Sequence, residues 1–347
     1  MIPDAERTIE FEFVRATENA ALNAMHWIGR GDKEAADAAA CDAIYGVFDL
    51  VDVCGEVVIG EGIKDNAPGI FLGDHLGTWR PGSPHFDIAL DPVDGTTNIS
   101  KGMANSISVI AAAQTPPGAK VMKNIPSFYA HKLSYGAKVN KAVRSKALEH
   151  SLLDLPLSET LLLVSKALGK RLPELVVLVL DRPRNQPFID QIRAAGASLR
   201  MISDGDITAA VAPSLVDTGV DLYIGIGGSP EGVLTATALR SLGGDIQMRM
   251  WFRNEQEKAE QTTGLSEAEI NRVFNAEEIV PGDSAIFCAT GISDSPLLPG
   301  VKLIGKTAIT HSILMRARSQ TVRYIRAVHN LERKTIHLRG AEEESRI

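Results

Sequence analysis

Leu175-Val176-Val177-Leu178-Val179-Leu180-Asp181-Arg182-Pro183-Arg184 is the stretch that decides the fold. An unbroken apolar run this short, rich in β-branched valine and closed by charge and a proline, reads as a strand. The sequence on either side alternates. Helical spacing covers 158–168 and 188–195, the latter stopped by Gly196; strands are expected at 198–202 and 220–226, with a helix running on from Ile207. Strand and helix in regular alternation predict α/β architecture. The next helix is well signposted. Ser229 is read as its N-cap, Pro230 as its first helical residue and Glu231 as an acid in its first turn, with Gly243-Gly244 beyond its end.

Outward from this core, helical patterns are expected at 13–28, ending at Gly29-Arg30-Gly31, and at 33–53. Strands follow. Val57-Val58-Ile59 leads into Gly60-Glu61-Gly62, residues 86–90 lead into Asp91-Pro92-Val93-Asp94-Gly95, and 106–113 reads as a buried strand. A boundary is placed near residue 150, giving an N-terminal subdomain 1–150 and a C-terminal α/β subdomain 151–347. The mixed-charge run 333–346 reads as a solvated tail or terminal helix.

With 347 residues, 44% of them hydrophobic and 23% charged, the chain can bury a large core. Its apolar runs are far shorter than the roughly 20 residues a membrane helix needs. The acidic N-terminus lacks the basic start and apolar stretch of a secretory leader, so a cytoplasmic location is expected. Cys41, Cys54 and Cys288 form no Cys-x-x-Cys pair and read as buried free thiols. A net charge of -7 argues against nucleic acid or an anionic membrane as partner, so any phosphate must be gripped by a local cluster.

Several groups of residues could do chemistry. Asp91-Pro92-Val93-Asp94-Gly95-Thr96 sets two carboxylates and a hydroxyl at a strand's C-terminal end, with Gly95 admitting a ligand close to the backbone. Carboxylate oxygens suit Mg²⁺ or Mn²⁺, and two such ions can clamp a phosphoryl group. Taken alone, the segment is equally an ordinary Asp/Gly turn. Glu61, between two glycines, reads alone as an exposed hairpin acid, and Asp37 as a solvated position on its helix. The turn Gly225-Ile226-Gly227-Gly228 before the helix bearing Glu231 offers backbone N–H groups to a phosphate. A dinucleotide site is its rival, but the Gly-x-Gly-x-x-Gly register is not met. Arg182 and Arg184, held apart by Pro183, suit phosphate capture or form a surface charge cluster. Asp204-Gly205-Asp206 can cap a helix or accept hydrogen bonds from sugar hydroxyls. Nearly every group follows a predicted strand, where open α/β sheets bind ligands.

From Gly29-Arg30-Gly31-Asp32-Lys33 to Ala289-Thr290-Gly291-Ile292 the chain resembles the class II fructose-1,6-bisphosphatases of the lithium-sensitive phosphatase superfamily. The segment Asp91 to Thr96 fits that superfamily's Asp-Pro-[Ile/Leu/Val]-[Asp/Glu]-Gly-[Ser/Thr] motif. Inositol monophosphatases instead close their metal site with Trp-Asp, which is missing near Gly227-Gly228, where Glu231 follows. The resemblance implies a layered α/β/α/β/α sugar-phosphatase sandwich of two subdomains, Mg²⁺ or Mn²⁺ as cofactor, and a homo-oligomer, commonly a tetramer. It puts metal ligands at Asp37, Glu61, Asp91, Asp94 and Glu231, with Asp32 a weaker candidate than Asp37. Substrate contacts fall at Asp94, Gly95 and Thr96, at Tyr129, at Arg182, Pro183 and Arg184, and at Asp204, Gly205 and Asp206. Where relatives often carry further acids after the Gly-Glu-Gly loop, this chain has Ile63-Lys64-Asp65-Asn66, which argues against a third metal site.

The expected reaction is hydrolysis of the 1-phosphate of fructose 1,6-bisphosphate, as in gluconeogenesis. Cleavage of sedoheptulose 1,7-bisphosphate as well would extend it to the Calvin cycle. Thr96 is expected to orient the attacking water and Glu61 or Asp65 to accept its proton. Two rivals remain at this stage: a phosphatase for inositol phosphate or another small phosphomonoester, and a sugar-phosphate sensor that binds without cleaving.

Overall fold

The computed structural model describes residues 4–60, 69–145, 151–339 and 345–346. The chain forms two compact units, residues 1–122 with 282–347 and residues 123–281. This division differs from the expected boundary near residue 150, which falls inside the second unit's span. The chain crosses between units twice, and its C-terminal strands return to complete the first sheet.

The first unit opens with α1 (Ala5–Ala24) and α2 (Lys33–Phe48), so the first helix starts earlier, and the second stops sooner, than their spacing suggested. Asp32 caps α2, its Oδ1 accepting the Ala35 N–H at 2.9 Å. Strands β1 (Cys54–Ile59), β2 (His75–Leu76), β3 (His85–Asp94) and β4 (Ile107–Gln114) follow, with the short helix α3 (Thr96–Ser100) between the last two. The apolar faces of α1 and α2 cover this sheet through Phe13, Ile44 and Phe48, packed against Phe86, Ile88 and Leu90.

The second unit contains β5 (Tyr129–Tyr135), α4 (Ala137–Ser145), α5 (Leu157–Leu168), β6 (Val176–Leu180), α6 (Gln186–Ala195), β7 (Ser198–Ile202), α7 (Asp206–Val211), β8 (Leu222–Gly228), α8 (Ser229–Leu242), β9 (Asp245–Trp251), α9 (Glu255–Gln261) and β10 (Phe274–Asn275). Its strand order is β10-β9-β5-β8-β6-β7, with β6 parallel to both β7 and β8, and β5 antiparallel to its neighbours. The valine-rich strand is buried on both sides. Val177 and Val179 enter the core with α5 and α6, while Leu178 and Leu180 enter a second core with Ala209 and Ala210 of α7.

The chain then returns to the first sheet as β11 (Ile286–Gly291), β12 (Lys302–Ile304), β13 (Thr307–Arg316) and β14 (Thr321–Asn330). β11 pairs antiparallel with both β4 and β13, giving the order β12-β13-β11-β4-β3-β1-β2 with β14 on β13. The run expected as a tail or terminal helix is neither over its described part. Thr335–Ile336 pairs with residues 345–346 as short strands, the Arg339 guanidinium lies 3.7 Å from the Tyr45 ring centroid, and the His337 carbonyl sits where a Cβ on Gly46 would be. Cys41, Cys54 and Cys288 are buried free thiols, and burial pushes the Cys288 thiol up to about 12. Among the described residues no helix is long and apolar enough to cross a membrane.

Candidate active site

In the first unit β3 runs four residues past its expected end, to Asp94. Its register against β4 shifts between Asp91, opposite Val109, and Asp94, opposite Ile107. A bulge of this kind re-aims side chains at a strand end, and here it carries Pro92 without breaking the sheet. The Asp91 Oδ1 accepts the Val93 N–H at 3.1 Å, a turn local to the motif. Gly95 follows at φ 93°, a conformation costly for any residue with a Cβ, and a Cβ there would lie 2.3 Å from the Asn105 carbonyl oxygen. Thr96 therefore opens α3 from a fixed position.

The loop before α2 docks on the same helix. The Gly29 and Gly31 N–H groups donate to the carbonyls of Ile99 and Ser100 at 2.8 and 2.9 Å. Asp37 is half-buried in α2. Asp87, which the motif reading passed over, is fully buried; burial raises its carboxyl although the Val121 and Met122 N–H groups donate to Oδ2 at 2.5 and 2.9 Å. Its role is to hold the chain at the end of the unit's first segment. Glu61 and Asp65 lie outside the described residues.

In the second unit the expected substrate residues come together. Tyr129 opens β5 opposite Gly228, and the Arg184 guanidinium lies 4.6 Å from its ring centroid, within cation–π range. The Arg184 Nε donates to the Ile226 carbonyl at 3.0 Å, so β8 fixes the guanidinium. Pro183 begins a 3₁₀ turn, Pro183–Asn185, that takes the chain from β6 toward α6. Asn185, fully buried, accepts the Ile226 N–H at 2.7 Å and donates to the Leu180 carbonyl at 3.0 Å, tying β6 to β8. Arg182 reaches Asp204 at 3.3 Å, so a residue read as a phosphate ligand and one read as a sugar ligand are partners. Gly205, at φ 92°, turns the chain into α7.

Asp206 has a role that spacing did not suggest. It is 6% exposed, its Oδ2 takes a hydrogen bond from the Lys132 Nζ at 2.5 Å, and its Oδ1 takes one from the Tyr223 hydroxyl at 2.5 Å. Lys132, fully buried, also donates to the Gly228 carbonyl at 2.8 Å. One ammonium thus binds the start of α7 to the end of β8. Burial and the Asp206 charge raise the Tyr223 hydroxyl, which stays protonated to donate. Gly227 is required by this contact, because a Cβ would stand 2.0 Å from the Asp206 Oδ2. Tyr223 and Lys132 went unnoticed in the sequence. Lys132, between the buried Ala130 and Leu133, was the available signal, since such a charge is buried only when paired.

α8 begins one residue earlier than expected. Gly228 is its N-cap, and Ser229 pairs through its hydroxyl with Ser127 at 3.0 Å instead of capping. Glu231 lies in the first turn, folded back so that a Cβ on Gly228 would meet its carboxylate at 1.9 Å. Burial raises this carboxyl, with the Lys132 charge opposing. Its Oε2 is shielded from solvent and has no hydrogen-bond partner among the described residues, as fits an oxygen kept for an electropositive ligand. Asp37, Asp91, Asp94 and Glu231, which the resemblance put at a metal, all carry carboxylates, the chemistry that hard divalent ions take. Among the described residues, however, no three His, Cys, Asp or Glu side chains are grouped closely enough to hold a metal ion.

Comparison with known proteins agrees along the chain. Residues 7–329 match the family described as bacterial fructose-1,6-bisphosphatase, glpX-encoded. The fructose-1,6-bisphosphatase class 2 of Haemophilus influenzae is 40% identical over 337 residues, covering 94% of this chain and 97% of the relative. The fructose-1,6-bisphosphatase 1 class 2 of Escherichia coli K12 is 37% identical over 339 residues, with the same coverage of each.

Proposed function

The chain belongs to the bacterial glpX-encoded fructose-1,6-bisphosphatase family, and on that premise we propose that it hydrolyses fructose 1,6-bisphosphate to fructose 6-phosphate and inorganic phosphate. Within the second unit, the observation that carries this reading is the gathering of Tyr129 and Arg184 at the β5 and β8 ends, beside loops set by Lys132 and Asp206. Guanidinium and phenol groups suit a phosphate remote from the reacting one, and binding energy spent there aligns the scissile bond.

In this reading Arg182, Arg184 and Tyr129 bind the 6-phosphate, with Pro183 fixing the arginines' spacing. Asp204 accepts from sugar hydroxyls, Gly205 lets the backbone approach the sugar, and Asp206 serves through Lys132 by setting the end of β8. Asp94, Gly95 and Thr96 face the substrate from the first unit's motif, with Thr96 orienting the attacking water and Glu61 or Asp65 accepting its proton. Asp37, Glu61, Asp91, Asp94 and Glu231 are proposed as ligands for Mg²⁺ or Mn²⁺. When bound, such ions neutralise phosphoryl charge and acidify a water. The homotetramer and the cytoplasmic location expected of the family are part of the same reading.

The test is inorganic phosphate release from fructose 1,6-bisphosphate with and without Mg²⁺ or Mn²⁺, with sedoheptulose 1,7-bisphosphate and inositol 1-phosphate as comparison substrates. Release that needs the ion and favours a bisphosphate supports the assignment. Tight substrate binding with no release would make the protein a sensor instead.

A further inference from the structure

Arg253 lies just beyond β9, whose last residue, Trp251, pairs with Tyr129 and meets its ring edge-on at 6.1 Å. The Arg253 guanidinium lies 5.8 Å from the Tyr129 ring centroid, so this tyrosine has two arginines near it, the other being Arg184 at 4.6 Å. The two charges are no farther apart than those distances combined, about the Debye length at 0.1 M ionic strength. Two like charges at such a spacing repel, and an anion beside the ring relieves the repulsion.

The anchoring of Arg253 resembles that of Arg184. Each spends its Nε on the protein, Arg184 on the Ile226 carbonyl and Arg253 on the Glu257 Oε2 at 2.6 Å. The terminal nitrogens of both make no hydrogen bond among the described residues, and more than half of the Arg253 side chain is open to solvent. Glu257 is itself only 5% exposed. Its N–H is capped by Asn254 at 2.8 Å, and its Oε1 accepts from the Gln261 Nε2 at 3.3 Å. Gln261 closes the circuit by accepting the N–H of Phe128, the residue before Tyr129, at 3.0 Å. An ordinary exposed pair four residues apart on a helix is worth about 0.3–0.5 kcal/mol and needs no buried carboxylate. Here the buried carboxylate and the link back to β5 fix where the fork stands relative to Tyr129.

We propose that Arg253 is a second guanidinium ligand for the distal phosphate of a bisphosphate substrate, and that it makes the enzyme prefer bisphosphates to monophosphates. This rests on the reading of Tyr129 and Arg184 as the distal-phosphate pocket. The ligand class is a phosphate monoester dianion, which accepts paired N–H donors from a planar fork better than from an ammonium.

The experiment compares wild type, Arg253→Ala, Arg253→Lys and Glu257→Gln with saturating divalent ion, on fructose 1,6-bisphosphate and on fructose 1-phosphate, which lacks the distal group. Arg253→Ala is expected to raise KM for the bisphosphate about tenfold while kcat stays within about threefold, with kcat/KM for the monophosphate unchanged. The lysine variant should recover part of the loss, and Glu257→Gln should show a smaller rise in KM. Competitive inhibition by fructose 6-phosphate gives a second readout, weakening about tenfold in Arg253→Ala. Unchanged KM and inhibition constants in a variant with wild-type melting temperature, or equal losses on both substrates, overturn the proposal alone. If the wild type releases no phosphate from fructose 1,6-bisphosphate, the functional reading above falls and the proposal falls with it.

Discussion

The two units solve one local problem in the same way and then put it to opposite electrostatic use. In each, a strand runs into an Asp-containing turn whose glycine adopts a left-handed conformation, Gly95 at φ 93° and Gly205 at φ 92°, and a helix starts immediately after. In the first unit the candidate groups around that turn are carboxylates and a hydroxyl. In the second the turn is bound to a buried lysine, and the neighbouring loops present Arg182, Arg184 and Arg253. Carboxylates repel a phosphate unless a cation stands between them, whereas guanidinium groups attract it directly. On the proposed reading, most of the metal-binding carboxylates belong to the first unit, the second adds Glu231, and bisphosphate recognition belongs to the second.

The sharpest way to break the comparison is at Asp91. Asp91→Asn should lower kcat by about a thousandfold or more at saturating Mg²⁺ or Mn²⁺, with the melting temperature little changed; near-normal turnover would remove Asp91 from the metal site. Lys132→Met comes next. It leaves Asp206 buried without its cation, and breaking a buried pair on one side costs about 3–5 kcal/mol, readable by urea denaturation. A loss under about 1 kcal/mol would show that the pair behaves as a surface contact and sets neither loop.

His131, on β5 two residues from Tyr129, bounds how far the second unit's positive charge depends on pH. Its ring stacks on Phe188 at 4.8 Å, and burial, helped by the Arg249 charge, lowers its pKa to about 4. A folded-state value below that of the unfolded chain means that unfolding takes up a proton. Stability is then complete above about pH 6.5 and falls as pH drops toward 4, by up to about 3 kcal/mol. His131→Phe should flatten that slope in denaturation series from pH 7 to 4; an unchanged slope would show that His131 titrates normally. The smallest effect is expected for Arg184→Ala. It should raise KM for fructose 1,6-bisphosphate by about ten- to thirtyfold with little change in kcat, and unchanged kinetics would take Arg184 out of the pocket.

Much of this was legible in the sequence wherever one physical signal dominated. The apolar run 175–180 was legible as a strand, and β6 spans Val176–Leu180. Gly196 and Gly243 end their helices in left-handed conformations, as helix-stopping glycines do. Signals that depend on distant partners were weaker. β5 was not recognised because its polar Lys132 and Ser134 face partners far away in sequence, Asp206 and the Ala210 carbonyl. The returning strand β11 was missed for the same reason, because its pairing with β4 is long-range; the β13–β14 hairpin, which pairs locally across residues 317–320, was also missed. Among site residues, those adjacent to glycine or proline stood out. Lys132, Tyr223 and Arg253 did not, because what distinguishes them is a tertiary neighbour.

The detour of the chain through the second unit has a consequence for how the protein is made. Strand β4 is translated early, yet its partner β11 belongs to the last quarter of the sequence. At about 5–20 residues per second, a ribosome needs on the order of ten to thirty seconds to reach it. Throughout that interval the nascent first sheet has an open edge along Ile107–Gln114, while residues 123–281 emerge as one continuous segment that can fold first. The newborn chain is therefore most exposed to aggregation between those two moments, and a chaperone that shields bare strand edges would act there.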